Sequence, residues 1–139
     1  MRTLGVDYGE KRVGLALSDP AGRVAVPLSI VERRDDRSLA RSLARLCRAE
    51  GVERIVVGQP LGADGTIGAA AQRTARFAER LARATGLPCT LIDERLTSHE
   101  AAERLRQAGV GPRGRRQALD AVAAQILLQE ALDLEAKGS

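Results

Sequence analysis

Two short apolar runs, residues 2–8 and 12–18, reverse on each other around Gly9-Glu10, and this pairing constrains the chain more than any other feature. Short apolar segments joined by a tight turn-forming pair read as a β-hairpin, because each strand supplies the other's backbone hydrogen-bond partners. A third strand is expected near 24–31, after the turn Asp19-Pro-Ala-Gly22. The period then changes. Leu39, Leu43 and Leu46 recur at helical spacing over about 36–50, ending at Gly51, and Arg54-Ile-Val-Val-Gly58 follows as a buried strand. The stretch from Gln59 to Gly68 is too rich in turn formers to be regular. A helix over about 69–85 stops at Gly86, a fifth strand spans Pro88–Ile92, and Thr97 with Glu100 forms a capping box for a helix over about 98–108. A basic loop from Gly109 to Arg116 leads into a last helix over roughly 116–136.

An opening hairpin followed by alternating helices and strands predicts a mixed α/β sheet with helices on both faces. One domain, residues 1–139, is long enough to bury a core without staples. Ligands of such sheets gather at the strands' carboxyl ends, where Asp7, Gln59 and Glu94 fall.

Three acids have no simple structural purpose. Asp7 ends the first strand in Asp-Tyr-Gly-Glu-Lys-Arg, Glu94 follows the fifth, and Asp120 sits on a stripe of the last helix with Ala123, Ala124, Leu127 and Ala131. Burying unpaired carboxylates together costs several kcal/mol, and a divalent cation is their most economical partner. Each acid also has an ordinary reading. Asp7 can serve a turn, Glu94 can pair with Arg95, and Asp120 can sit at a helix N-terminus favoured by the dipole. Asp93 competes with Glu94, and strand alternation points the two to opposite faces.

Beside Asp7, Gly9 permits close approach to the backbone, and Lys11 and Arg12 are placed to grip phosphate. Arg113, Arg115 and Arg116 lie in the glycine-bearing loop near Asp120, where they can close over a phosphodiester. Arginines 41, 45 and 48, and 73, 76, 80 and 83, fall at helical spacing and read as a solvated outer face. His99 reads as structural or solvent-facing. The net charge of +4 and pI near 9.8 suit an anionic partner, although only Lys11 and Lys137 among the 22 basic residues are lysines. With Tyr8 and Phe77 the sole aromatics, a base-stacking platform cannot be built, so nucleic acid would be held by its backbone. Cys47 and Cys89 read as core hydrophobes. With no apolar stretch of membrane length and no signal-peptide pattern, the expected location is the cytoplasm.

Four separated motifs in order carry a resemblance that spans essentially the whole chain. They are Asp7-Tyr-Gly-Glu-Lys-Arg-Val-Gly-Leu-Ala16, Val57-Gly-Gln-Pro-Leu61 with Asp64-Gly65, Asp93-Glu-Arg-Leu-Thr97, and Asp120-Ala-Val-Ala-Ala124 with Ile126-Leu127. In these the chain resembles the YqgF/RuvX family, the ribonuclease-H-like group of pre-16S rRNA nucleases and Holliday junction resolvase-like proteins. The resemblance implies a ribonuclease-H-like fold, an α/β domain whose five-stranded mixed sheet has order 3-2-1-4-5. It implies a Mg²⁺ or Mn²⁺ site from Asp7, Glu94 and Asp120, catalysing phosphodiester hydrolysis, with Lys11, Arg12 and Arg116 neutralising phosphate; Arg95, Arg113 and Arg115 are further candidates toward substrate, and Gly9, Gln59 and Thr97 are candidates in support. Related resolvases can carry a further acid where this chain has Ala123, so Gln59 or the substrate's oxygens would complete a two-metal site. The expected substrate is structured RNA in ribosomal RNA maturation, with branched DNA as the alternative and a homodimer left open. A non-catalytic binding module on the same fold is the rival from another class. An actin-like nucleotide binder would need two such domains.

Overall fold

The computed structural model describes residues 1–94 and 115–138, with side chains of the last helix from 122 to 136. Five strands, β1 (Thr3–Tyr8), β2 (Arg12–Ser18), β3 (Ala25–Glu32), β4 (Arg54–Gln59) and β5 (Cys89–Asp93), form one sheet in the order β3-β2-β1-β4-β5. β2 runs antiparallel to both neighbours, whereas β1, β4 and β5 run parallel. Helices α1 (Asp36–Glu50), α2 (Ala69–Thr85) and α3 (Arg115–Gly138) complete the described elements. The helix expected over 98–108, its Thr97 cap, His99 and the loop carrying Arg113 lie outside the described residues.

Local chemistry explains the boundaries. The Asp35 side chain accepts hydrogen bonds from the Ser38 N–H at 2.8 Å and the Ser38 hydroxyl at 2.7 Å, capping α1. Gly51 (φ 67°) and Gly86 (φ 72°) end α1 and α2 in the left-handed region, where a side chain would be strained. The third strand starts at Ala25 because the Arg23 and Val24 N–H groups are held in the preceding turn by the Asp19 carboxylate. The fifth begins at Cys89 rather than Pro88, since proline has no N–H to donate; its carbonyl still accepts from the Ile55 N–H at 2.9 Å.

Alternation sorts the strands onto two faces. Leu4, Val6, Tyr8, Val13, Leu15, Ile55 and Val57 pack with Leu39, Leu43, Cys47, Phe77 and Leu81 beneath α1 and α2. Ala16, Ala25 and Val56 pack with Ala124, Leu128 and Leu132 of α3 on the other side. Close approach of α3 to the sheet depends on the sheet's own glycines as well as on Ala124. A Cβ added to Gly5 would lie 2.8 Å from Leu128 Cβ and 3.2 Å from the Ala124 carbonyl oxygen. At Gly58 it would lie 3.1 Å from Leu127.

Helix α3 is also pinned to β3. The Ala25 N–H donates to Gln129 Oε1, while Gln125 and Gln129 donate to the Ala25 and Arg23 carbonyls, each at 3.0 Å. Its direction follows from its contacts. Ala124 and Leu128 sit over Gly5, whereas Leu132 and Glu135 line a hollow with Met1 and Arg54 at the amino edge of β1 and β4. The N-terminal end of α3 therefore points toward the sheet's carboxyl edge, where β1 ends at Asp7 and Tyr8. Among the described residues no helix is long and apolar enough to cross a membrane.

Candidate active site

Strand alternation places Asp7 on the α3 face, two residues beyond Gly5 and opposite Gly14 of β2. Gly58 stands level with it on β4, one residue past the Val6–Val57 pair. Glu94 follows β5 directly, and its Oε2 lies 3.5 Å from the place a Gly58 Cβ would occupy. Asp7 and Glu94 thus belong to one face and flank a glycine whose missing side chain lets Leu127 and Glu94 approach the sheet. Both are half-buried. Asp93 has the parity of Cys89 and Leu91, which pack toward the α1/α2 core, so Glu94 is the acid of this pair on the α3 side.

The third acid rides on α3. Residue 120 lies one turn before Ala124, about 6 Å farther toward the carboxyl edge at 1.5 Å per residue. Two strand residues separate Gly5 from Asp7, about 6.6 Å. The backbone consequently brings position 120 level with position 7. The side chains of Asp120, Arg115 and Arg116 lie outside the described residues, as do Arg95, Thr97 and Arg113.

Two supporting residues have other work in the structure. Gln59 shares a row with Ile55 and Val57, and its Nε2 donates to the Ala71 carbonyl at 3.4 Å, so it ties β4 to the first turn of α2. This alternation puts Gln59 on the opposite face of the sheet from Gly58. Gly9 was expected to let a ligand approach. The space beside it is already filled: an added Cβ would sit 2.3 Å from the Arg12 carbonyl oxygen, which accepts from the Gly9 N–H at 3.0 Å. Glycine is there for the hairpin.

Lys11 is exposed at the hairpin tip, and Arg12 is half-buried with the parity of Gly14, on the Asp7 side. A cluster that sequence reasoning overlooked holds this tip. Arg33 donates from its N–H to the Lys11 carbonyl at 2.8 Å and from Nη1 to the Glu10 carbonyl at 2.6 Å. Its Nε donates to Asp36 Oδ1 at 3.0 Å, and its guanidinium lies 4.9 Å from the Tyr8 ring centre. The Tyr8 hydroxyl donates to the same Asp36 oxygen at 2.5 Å, and its ring stacks on Phe77 at 4.5 Å. Burial, followed by the bond to Asp36, pushes the Tyr8 phenol up to about 12, so it stays a donor at neutral pH. The signal was present in the sequence, since Tyr8 and Phe77 are its only aromatics. Cys47 and Cys89 are free thiols pushed up to about 11 by burial, which leaves them protonated and unreactive near neutrality.

Residues 1–134 match the family described as RuvX: Holliday junction resolvase. Among curated proteins the chain is 47% identical over 133 residues to one from Syntrophus aciditrophicus, covering 96% of this chain and 89% of that one. It is 48% identical over 133 residues to one from Anaeromyxobacter sp. strain Fw109-5, covering 96% and 97%. Both carry the name "Putative pre-16S rRNA nuclease". In fold it is similar to Thermus thermophilus RuvC solved in complex with Holliday junction substrate, with TM-score 0.66 and 15% identity over 100% of this chain and 98% of that one. The fowlpox virus Holliday junction resolvase superposes with TM-score 0.60 and 14% identity, covering 96% and 99%.

Proposed function

The chain belongs to the RuvX family and is a nuclease; from that premise we propose that it is a divalent-metal-dependent endonuclease that cleaves structured precursor 16S rRNA. What supports this reading is the placement of Asp7 and Glu94 on one face of the sheet beside Gly58, under the helix that carries position 120 one turn before Ala124. The donor set fits the group it would hold. Carboxylate oxygens are hard ligands suited to Mg²⁺ or Mn²⁺, and both cysteines pack against the α1/α2 core on the opposite face of the sheet.

Asp7, Glu94 and Asp120 would hold the cation. When bound, it supplies charge neutralisation at the phosphodiester and an acidified water. The chain's own residues do the rest. Lys11 and Arg12 at the braced hairpin tip neutralise substrate phosphate, and Arg95, Arg113, Arg115 and Arg116 are assigned the same role. Gly58 lets Leu127 of α3 and the Glu94 carboxylate close onto the sheet beside Asp7. Arg33, Tyr8 and Asp36 fix the tip from behind, so the cations next to Asp7 are positioned before substrate arrives.

The test is cleavage of precursor 16S rRNA and of a four-way DNA junction by wild type, Asp7→Asn and Asp120→Asn, with and without EDTA. Metal-dependent cleavage of the rRNA, lost in both variants, is the expected result. Metal-free melting temperature is expected to hold or rise in Asp120→Asn, because removing the charge relieves repulsion and desolvation. Preferential cleavage of the junction would move the substrate to branched DNA. Cleavage untouched by EDTA and by Asp7→Asn would sink the metal mechanism and leave a nucleic-acid or ribosome-assembly binding module.

A further inference from the structure

We propose that the outer face of the α1/α2 layer is a second nucleic-acid surface, a double row of arginines that carries a duplex arm of the substrate away from the sheet's carboxyl edge. This rests on the reading that the substrate is nucleic acid. Arg37, Arg41, Arg45 and Arg48 are all exposed along α1. On α2, Arg73, Arg76, Arg80 and Arg83 are exposed likewise. Each row offers about one guanidinium per 5.4 Å turn.

The tertiary structure joins the rows. Because β3 and β1 both run antiparallel to β2, strands β1, β3, β4 and β5 all point the same way. The helices that follow β3 and β4 therefore run back side by side. They pack against each other over the shared core, at the roughly 8–10 Å usual for helix pairs. Arg37 and Arg73 begin the rows beside the carboxyl edge, where Asp36 meets Tyr8 and Gln59 meets Ala71. Arg48 ends its row about 16 Å away. Exposed Lys11, held by Arg33, lies at the edge between this face and the candidate active site.

Local acids do not neutralise the face. Asp36 is taken by Tyr8 and Arg33, and Glu50 leans to Arg2 at 3.8 Å, leaving exposed Asp35, the α1 cap beside Arg37, and exposed Glu79 as two opposing charges against eight arginines. Among the described residues none of the eight arginines makes an ion pair. Guanidinium groups suit phosphate, being planar, permanently charged and weakly hydrated. Both aromatics are buried, so the face offers no platform for unpaired bases, and a duplex backbone is the occupant that fits.

The test compares wild type with R41Q/R45Q/R76Q/R80Q, binding a fluorescent hairpin RNA and a four-way DNA junction by anisotropy across a salt series. Four lost phosphate contacts should lower the slope of log affinity against log salt by about 3 to 4, and affinity at low salt by roughly a hundredfold. The matching lysine variant should keep most of the slope, which separates lost charge from lost fold. Affinity and slope unchanged on both probes would overturn the proposal and leave the face to an acidic protein partner. Asp7→Asn, assayed for cleavage as well as for binding, keeps the two readings apart: its failure to stop cleavage would refute the active site and leave the arginine comparison intact.

Discussion

Replacing Gly5 with Ala tests how the sheet sets the position of α3, and through it the position of Asp120. The new methyl would meet Leu128 Cβ at 2.8 Å and the Ala124 carbonyl oxygen at 3.2 Å. Carbon atoms pack best at about 3.5–4.0 Å, so α3 must move roughly 1 Å off the sheet. Neither neighbour can yield by turning a rotamer, because one is a Cβ and the other is backbone. Leu128 and Ala124 are both fully buried, so the movement opens gaps where packing is complete. Overpacking of this kind costs about 1–3 kcal/mol, against a gain of about 0.4–1 kcal/mol from replacing glycine in the unfolded chain. The net loss, about 1–2 kcal/mol, corresponds to a melting temperature lower by about 3–10 °C for a domain of this size. Activity should fall further than stability, since a 1 Å misplacement of a catalytic group can cost about a hundredfold. Differential scanning calorimetry and single-turnover cleavage on the same preparation give both numbers. A Gly5→Ala protein with wild-type melting temperature and cleavage rate would refute the argument that this contact sets the site.

Tyr8→Phe keeps the stack on Phe77 but removes the donor to Asp36. Because the folded phenol is raised to about 12 from its ordinary 10, its contribution is complete below pH 10 and is lost as pH climbs through 12. Wild type should therefore lose melting temperature more steeply than Tyr8→Phe between pH 10 and 12; parallel curves would contradict the assignment. Changing Arg113, Arg115 and Arg116 together to Ala should weaken nucleic-acid binding and lower its salt slope by up to about three, with melting temperature nearly unchanged. An unaltered slope would make the segment leading into α3 and its first turn a mere connection and shift the substrate path onto the α1/α2 arginines.

Much of this protein was legible along the chain because the signals are local. The bounds expected for β2, α1 and α2 coincide with those observed, since period and capping chemistry act within a few residues: Asp35 on Ser38, Gly51 on Cys47, Gly86 on Ala82. The sheet order 3-2-1-4-5, implied by resemblance rather than by periodicity, is the order found. Tertiary structure decided what depends on facing. Alternation states that Asp93 and Glu94 diverge, but only the placement of α3 tells which of them shares a side with Asp7. The same geometry sends Gln59 to α2 and makes Gly58 a close-approach point for α3. Gly9, Gly5 and Gly58 look alike in sequence, yet one is crowded by its own hairpin and the others by a helix from the far end of the chain. Likewise, two helical rows of arginine become one surface only because parallel strands return both helices in the same direction. Local propensity is written in neighbouring residues, whereas the side on which a residue acts is set by contacts between segments far apart in the chain.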